Sequence, residues 1–287
     1  MTGAGGLVGG RLAALLSGRH DVVGGVRSNP APAGVPPVRF DLEQTPTFEA
    51  ALDQARPDAV VHAAALPDPD ACEREPARAE ACNVEAPARL ARLCRARGVR
   101  FLALSTDLVF AGDRPPYRED DPAKPVLAYG RGKLAGEEAS LAEDPRAVIL
   151  RLPLVHGRGH GSRATASESV AWSVLAGRPV RLFTDQVRTP VDAESVADAI
   201  VRVLQGPHAG RFHLGGPERV SRHALGLRVA AALGLEADLI APARQGDLPL
   251  TPRPADVSLD SRRARDVLGW QPRPLDAGLR ESRRAAV

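Results

Sequence analysis

Aromatic side chains are scarce. They make up 3% of the 287 residues, so the core must be built from Ala, Leu and Val, and little is left for a stacking platform that would hold single-stranded nucleic acid. Cysteine appears only as Cys72, Cys82 and Cys94, an odd number without the paired close spacing of a zinc site, which reads as reduced, inert thiols. Lysine is rarer still, with Lys124 and Lys133 alone among many arginines. No apolar run is long enough to cross a membrane, and the opening residues lack the basic and apolar regions of a secretion signal, so the expected location is cytoplasmic. The net charge of +3 comes from arginines scattered among carboxylates, with a mildly basic end at Arg280, Arg283 and Arg284. That pattern describes a mixed solvated surface, without a nucleic-acid or membrane partner. His156 and His160 lie in a Gly-rich stretch, HGRGHG, with no carboxylate or Cys nearby, and no metal site is expected.

Short apolar runs (DVVGGVR, PDAVVHAAA, VRFLALST, RAVILRLPLV, GRFHLGG) alternate with helical stretches that end at or near a glycine. This alternation predicts an α/β fold with a doubly wound parallel sheet covered on both faces. From about residue 158 the pattern loosens, through GRGHGSRATASES and the Pro-rich LPLTPRPADVSLD. The expected division is a dinucleotide-binding domain of residues 1–157 with 188–216, and a smaller substrate lobe of 158–187 with 217–287.

The start, MTGAGGLVGG, spaces Gly3, Gly6 and Gly9 three apart ahead of RLAALLSG, a helix with a glycine stop. Such a turn receives a pyrophosphate on free backbone N–H groups at a helix N-terminus. It normally follows a buried strand of about five residues, yet only Met1 precedes Thr2. The first strand is therefore expected to be missing, as it would be if Met1 were a wrongly assigned start, and a gap in the sheet is expected to follow. After the second apolar run, Arg27 and Ser28 stand where an NAD-preferring site would place Asp or Glu for the adenosine ribose. A cation and a hydroxyl suit a 2′-phosphate, so NADP is favoured over NAD.

The chemistry concentrates in AYGRGKLAGE, where Tyr129 and Lys133 stand four apart on one helix face. An ammonium in a chain that otherwise uses guanidinium points to a task needing a compact cation. Bringing a phenol down by about three units takes about 4 kcal/mol of differential stabilisation of the phenolate, which Lys133 and a cationic nicotinamide are expected to provide. Upstream, FLALSTDLVF ends in Ser105, Thr106 and Asp107 at the carboxyl edge of a strand, where ligands bind in open sheets. Thr106 is the first choice to orient a substrate carbonyl and Ser105 the second.

Together TGAGGLVG, FDLEQ, VVHAAALPDPDACEREP, NVEAPARLA, STDLVF, YREDDPAKPVLAYGRGK and RPADVSLDSRRARDVLGW resemble the extended short-chain dehydrogenase/reductase family over nearly the whole chain. Within it the resemblance is to the dTDP-4-dehydrorhamnose reductase-like branch. It implies a Rossmann sheet and a catalytic set of Tyr129, Lys133 and Thr106. It also implies cofactor contacts at Gly3, Gly6, Leu7, Val8, Asp41, Leu42, Ala63 and Ala64, joined by Arg27, Ser28, Ser105, Tyr129 and Lys133. The implied activity is NADP-dependent reduction of a 4-keto sugar nucleotide. Alternatives are a nucleotide-sugar epimerase or dehydratase, and a non-catalytic NADP-binding regulatory subunit. Homodimers through helices beside the sheet occur in the family. Two departures stand near the sugar: Leu108 where STDYVF is common, and Leu154 where an aromatic is common.

Overall fold

A computed structural model describes residues 1–161, 164–247 and 253–284, with backbone only for 282–284. Residues 162–163 of the Gly-rich loop, 248–252 of the Pro-rich stretch and the side chains of Arg283 and Arg284 lie outside that description. Helix α1 (Leu7–Leu16) precedes β1 (Gly24–Val26), β2 (Pro37–Arg39), α2 (Pro46–Ala55) and β3 (Ala59–His62). Then come α3 (Pro69–Arg74), α4 (Pro76–Glu80), α5 (Ala86–Ala96), β4 (Arg100–Thr106), α6 (Ala128–Glu143) and β5 (Val148–Leu152). The strand Gly210–His213 pairs in parallel with β5, β5 with β4, β4 with β3, and β1 with β2.

No strand element precedes α1, but its place is held. Thr2 forms parallel bridges to both Gly25 and His62, joining the β1–β2 pair to the other four strands. The Thr2 amide donates to Val61 O at 2.9 Å, and the Gly25 amide to Met1 O at 2.8 Å. The Thr2 hydroxyl is 2.8 Å from His62 Nδ1, so His62 is tied into the strand end as a packing group. The Met1 ammonium donates to Val23 O at 2.9 Å, and burial lowers its pKa to about 6. At the carboxyl edge, where ligands bind, the expected gap is thus bridged by a single residue.

Because the sheet is covered on both sides, successive residues of one strand feed different cores. Leu102 and Leu104 of β4 meet Leu12 and Leu16 of α1 and Val196 and Ile200 of the helix Ala193–Gln205. Phe101 and Ala103 meet Phe48 of α2 and Leu90 of α5. A separate core joins Val170 and Val174 of the helix Ala166–Leu175, Leu225 and Val229 of the helix Arg222–Leu233, and Leu275 and Leu279 near the end. Ala264, Leu268 and Trp270 fall in the sequence range given to the smaller lobe, but they pack with the main sheet. The Trp270 indole donates to Ser195 O at 2.8 Å.

Helix α6 carries Gly130, Gly132 and Gly136, and it lies against the π-helical turn Ala81–Glu85 and α5. A Cβ at Gly136 would overlap the backbone oxygen of Asn83, whereas one at Gly132 would meet only the Asn83 side chain, its nearest atom 3.5 Å away. Two substitutions on one helix should therefore have opposite signs. Gly136→Ala should cost about 1–3 kcal/mol by overpacking. Gly132→Ala should add about 0.5–1 kcal/mol by restricting the unfolded chain and improving helix propensity. Urea denaturation followed by circular dichroism measures both; equal effects would contradict the packing described.

Candidate active site

The glycine turn leaves the Thr2 bridge and enters α1. Gly3 has φ +69, a region where an L side chain is strained, and a Cβ there would press within 2.8 Å of the Ala64 amide nitrogen. Gly6 caps α1 without a side-chain hydrogen bond, and the first turn holds no acidic residue. The helix thus presents N–H groups and the positive end of its dipole to any anion placed there.

At the end of β4 the two hydroxyls part company. Ser105 Oγ donates to Glu137 Oε1 at 2.5 Å and is committed to the helix behind it. The Thr106 hydroxyl donates to Asp107 Oδ1 and accepts from the Leu108 amide, both at 3.2 Å, and it lines the cavity beside Tyr129. Lys133 Nζ donates to Leu104 O at 2.8 Å. Burial brings the Lys133 pKa down to about 8, with Glu137 one turn further along α6 acting in the other direction. Asp107 stands 3.4 Å from the Arg188 guanidinium; burial raises its pKa to about 6 against that attraction.

Burial also pushes the Tyr129 phenol well above its ordinary value, the negative charge of Asp107 adds to this, and a hydrogen bond with Thr106 opposes it more weakly. The Lys133 ammonium, bonded to Leu104 O, does not by itself offset this rise, in which burial dominates. In the protein by itself Tyr129 is a protonated donor.

These groups share one cavity of about 990 Å³ at the carboxyl edge of the sheet. Gly3, Gly6, Leu7 and Val8 line it at one wall, and Arg27, Ser28, Leu42, Ala63 and Ala64 line the next. Ser105, Thr106, Tyr129 and Lys133 complete it. Asp41 is not brought in with the others. It is buried, and its carboxylate accepts the Glu43 amide at 3.1 Å, closing the turn that presents Leu42. The cavity also takes in Leu66, Asp68, Arg78, Cys82 and His160, which sequence reasoning did not find. Asp68 caps α3, a feature visible as Asp before Pro69. Arg78 and His160 carry no such local signal, since they arrive from segments far along the chain. Burial pushes the Cys82 thiol up to about 11 and the Cys94 thiol up to about 12, in keeping with unreactive thiols.

A sequence model of the family described as RmlD substrate binding domain matches residues 1–286. The chain is 35% identical over 284 residues to the probable low-salt glycan biosynthesis reductase Agl14 of Haloferax volcanii, covering 97% of this chain and 95% of that one. It is 30% identical over 233 residues to methionine adenosyltransferase 2 subunit beta of Bos taurus, covering 79% and 70% respectively. Among solved structures, a hypothetical dTDP-4-dehydrorhamnose reductase from Sulfolobus tokodaii matches with TM-score 0.83 and 31% identity, over 96% of this chain and 97% of that one.

With only two lysines in the chain, selective isotopic labelling of lysine gives a direct reading of the site. One of the two resonances is expected to titrate with a midpoint of about 8, and to disappear in Lys133→Arg. Glu137→Gln should move that midpoint further down, because the carboxylate favours the charged ammonium. An unchanged or higher midpoint would contradict the coupling.

Proposed function

The chain belongs to the RmlD substrate binding domain family, and from that premise we propose that it is an NADP-dependent reductase of a 4-keto sugar nucleotide, with dTDP-4-dehydrorhamnose as the best candidate substrate. The activity class is that of a sugar-nucleotide reductase of the short-chain dehydrogenase/reductase type, dependent on NAD or NADP. One observation carries the reading: Tyr129, Lys133 and Thr106 line the same cavity as the glycine turn.

The residues present fit a dinucleotide. The open N–H groups at the start of α1 suit a pyrophosphate, Ala63 and Ala64 offer a smooth wall, and Arg27 and Ser28 lie at the adenosine side. When bound, a reduced nicotinamide supplies the hydride that the substrate carbonyl carbon accepts. Tyr129 gives its phenolic proton to the carbonyl oxygen as negative charge develops there, so that one hydride and one proton convert the ketone to an alcohol. A phenol whose pKa is raised by burial is already in the protonated form this direction requires. The Thr106 hydroxyl orients and polarises the carbonyl. Lys133, largely charged at neutral pH with its pKa at about 8, stabilises the phenolate left behind and offers its remaining donors to a ribose. Leu154 lines the cavity as an aliphatic wall, which bears on the choice of sugar.

The similarity to methionine adenosyltransferase 2 subunit beta favours a second reading, a dinucleotide-binding subunit with no turnover of its own. The two readings separate in one assay, NADPH consumption on dTDP-4-dehydrorhamnose. Under the first, Tyr129→Phe should cut turnover by roughly 10²–10⁴ while NADPH affinity stays close to wild type. Wild-type-like turnover in the variant would remove Tyr129 from its role. Tight NADPH binding by a wild type that reduces no keto-sugar nucleotide would favour the subunit reading.

A further inference from the structure

Beside the cavity wall that carries Arg27 and Ser28 stands a charge cluster drawn from three segments, of which Arg27 and Arg78 reach the cavity and Glu43 lies behind them. Arg27, after β1, places a guanidinium nitrogen 3.3 Å from Glu43 Oε2, and Arg78, on α4, places Nε 3.2 Å from Glu43 Oε1. Arg78 also pairs with Glu75 at 3.0 Å. Arg27, Ser28 and Arg78 all line the cavity. Two guanidinium groups within reach of the two oxygens of one carboxylate are also within reach of a phosphate that takes its place, since both anions offer oxygens at similar spacing. The pairs are weakly held. Arg27 is 54% exposed, Glu43 41% and Arg78 34%, and exposed ion pairs of this kind contribute little stability. With Glu75 and Glu43 opposite Arg78 and Arg27, the cluster as it stands is close to neutral.

We infer that Arg27 and Arg78 form the two sides of a subsite for the adenosine 2′-phosphate, and that Glu43 is its internal occupant, which the phosphate must displace. The inference rests on the dinucleotide reading of the cavity. It makes Arg78 a specificity residue and Glu43 a competitor that limits discrimination between the phosphorylated and unphosphorylated dinucleotides. A dianionic phosphate replaces the two contacts of a singly charged carboxylate with two to a more highly charged anion, whereas a ribose hydroxyl has no charge with which to displace it.

The test is calorimetric titration of NADPH and NADH into wild type, Arg78→Gln and Glu43→Gln, with no substrate present. Arg78→Gln should weaken NADPH by about tenfold and leave NADH unchanged. Glu43→Gln should tighten NADPH by about three- to tenfold, again without effect on NADH. Both side chains are partly exposed, and matching melting temperatures would verify that the variants fold. Equal effects of Arg78→Gln on the two dinucleotides, or none, would overturn the subsite while leaving the reductase reading intact. Weaker NADH binding in Glu43→Gln would overturn it differently, by identifying Glu43 as a ribose acceptor. A wild type without preference that gains one for NADPH in Glu43→Gln would support the competitor and contradict the proposed NADP dependence. If neither dinucleotide binds wild type, both readings fall.

Discussion

The carboxylate of Glu137 is the point on which the active site is hung. It is buried between α6 and the sheet, and it accepts from Arg151 Nη2 at 2.7 Å, from Arg211 Nε at 2.9 Å and from Ser105 Oγ. Those partners come from β5, the strand Gly210–His213 and β4, so one side chain ties α6 to three neighbouring strands. Burial opposes its ionisation, and the hydrogen bonds from Arg151, Ser105 and Arg211 outweigh that, holding it below the usual carboxylate range. Desolvating the ions is costly unless every charge is met, and here the surroundings are complete. Arg151 also stands 5.1 Å over the Phe110 ring and 3.4 Å from His213 Nε2. The network fixes the rotation of α6, and with it the positions of Lys133 one turn earlier and Tyr129 one turn before that.

The dryness that makes this network firm sets the protonation states in front of it. Burial moves Lys133 and Tyr129 toward their neutral forms, the ammonium down and the phenol up. An ordinary phenol is already protonated at neutral pH, so the rise makes Tyr129 a weaker acid, and positive charge brought into the cavity has to offset the burial before its proton can leave. Glu137 tempers the effect on Lys133, whose pKa of about 8 leaves it largely charged at neutral pH.

What the sequence made legible followed from local rules. The short apolar runs and the helical patterns between them located the sheet and its covering helices, the glycine spacing located the turn, and the Tyr129–Lys133 interval put two groups on one face. All but one of the residues expected to touch the cofactor or catalyse line a single cavity. Asp41 is the exception, because a motif position does not say whether a side chain faces a cavity or its own turn; its carboxylate accepts the Glu43 amide and closes the turn. The bridge at Thr2 was not legible either, since one residue has no periodicity to read. Its pairing depends on β1 and β3 already lying either side of it. Ser105 and Thr106 could not be ranked from sequence with any force, because what separates them is the distant Glu137 that engages the first. Trp270, in the sequence range expected for a smaller lobe, belongs to the main core through contacts across the fold that no local pattern reports.

The scarcity of lysine acquires a physical sense at Lys133. The chain has nearly as many acidic as basic residues, 35 against 38, and the basic ones are almost all arginine. Paired guanidinium groups therefore occur throughout the surface, at Arg89 with Glu49 and Arg97 with Asp53 as much as at Arg27 with Glu43. Composition could not say which of them meets a ligand; only a place on the cavity wall does. The slot between α6 and Leu104 O is a different environment. A guanidinium there would bring five donors in a fixed plane to a site where, among the described residues, one backbone oxygen is the acceptor. An ammonium satisfies one donor at Leu104 O and turns the others toward the cavity. A compact, rotatable cation is thus selected by the geometry of the slot, even in a chain that has otherwise all but abandoned it.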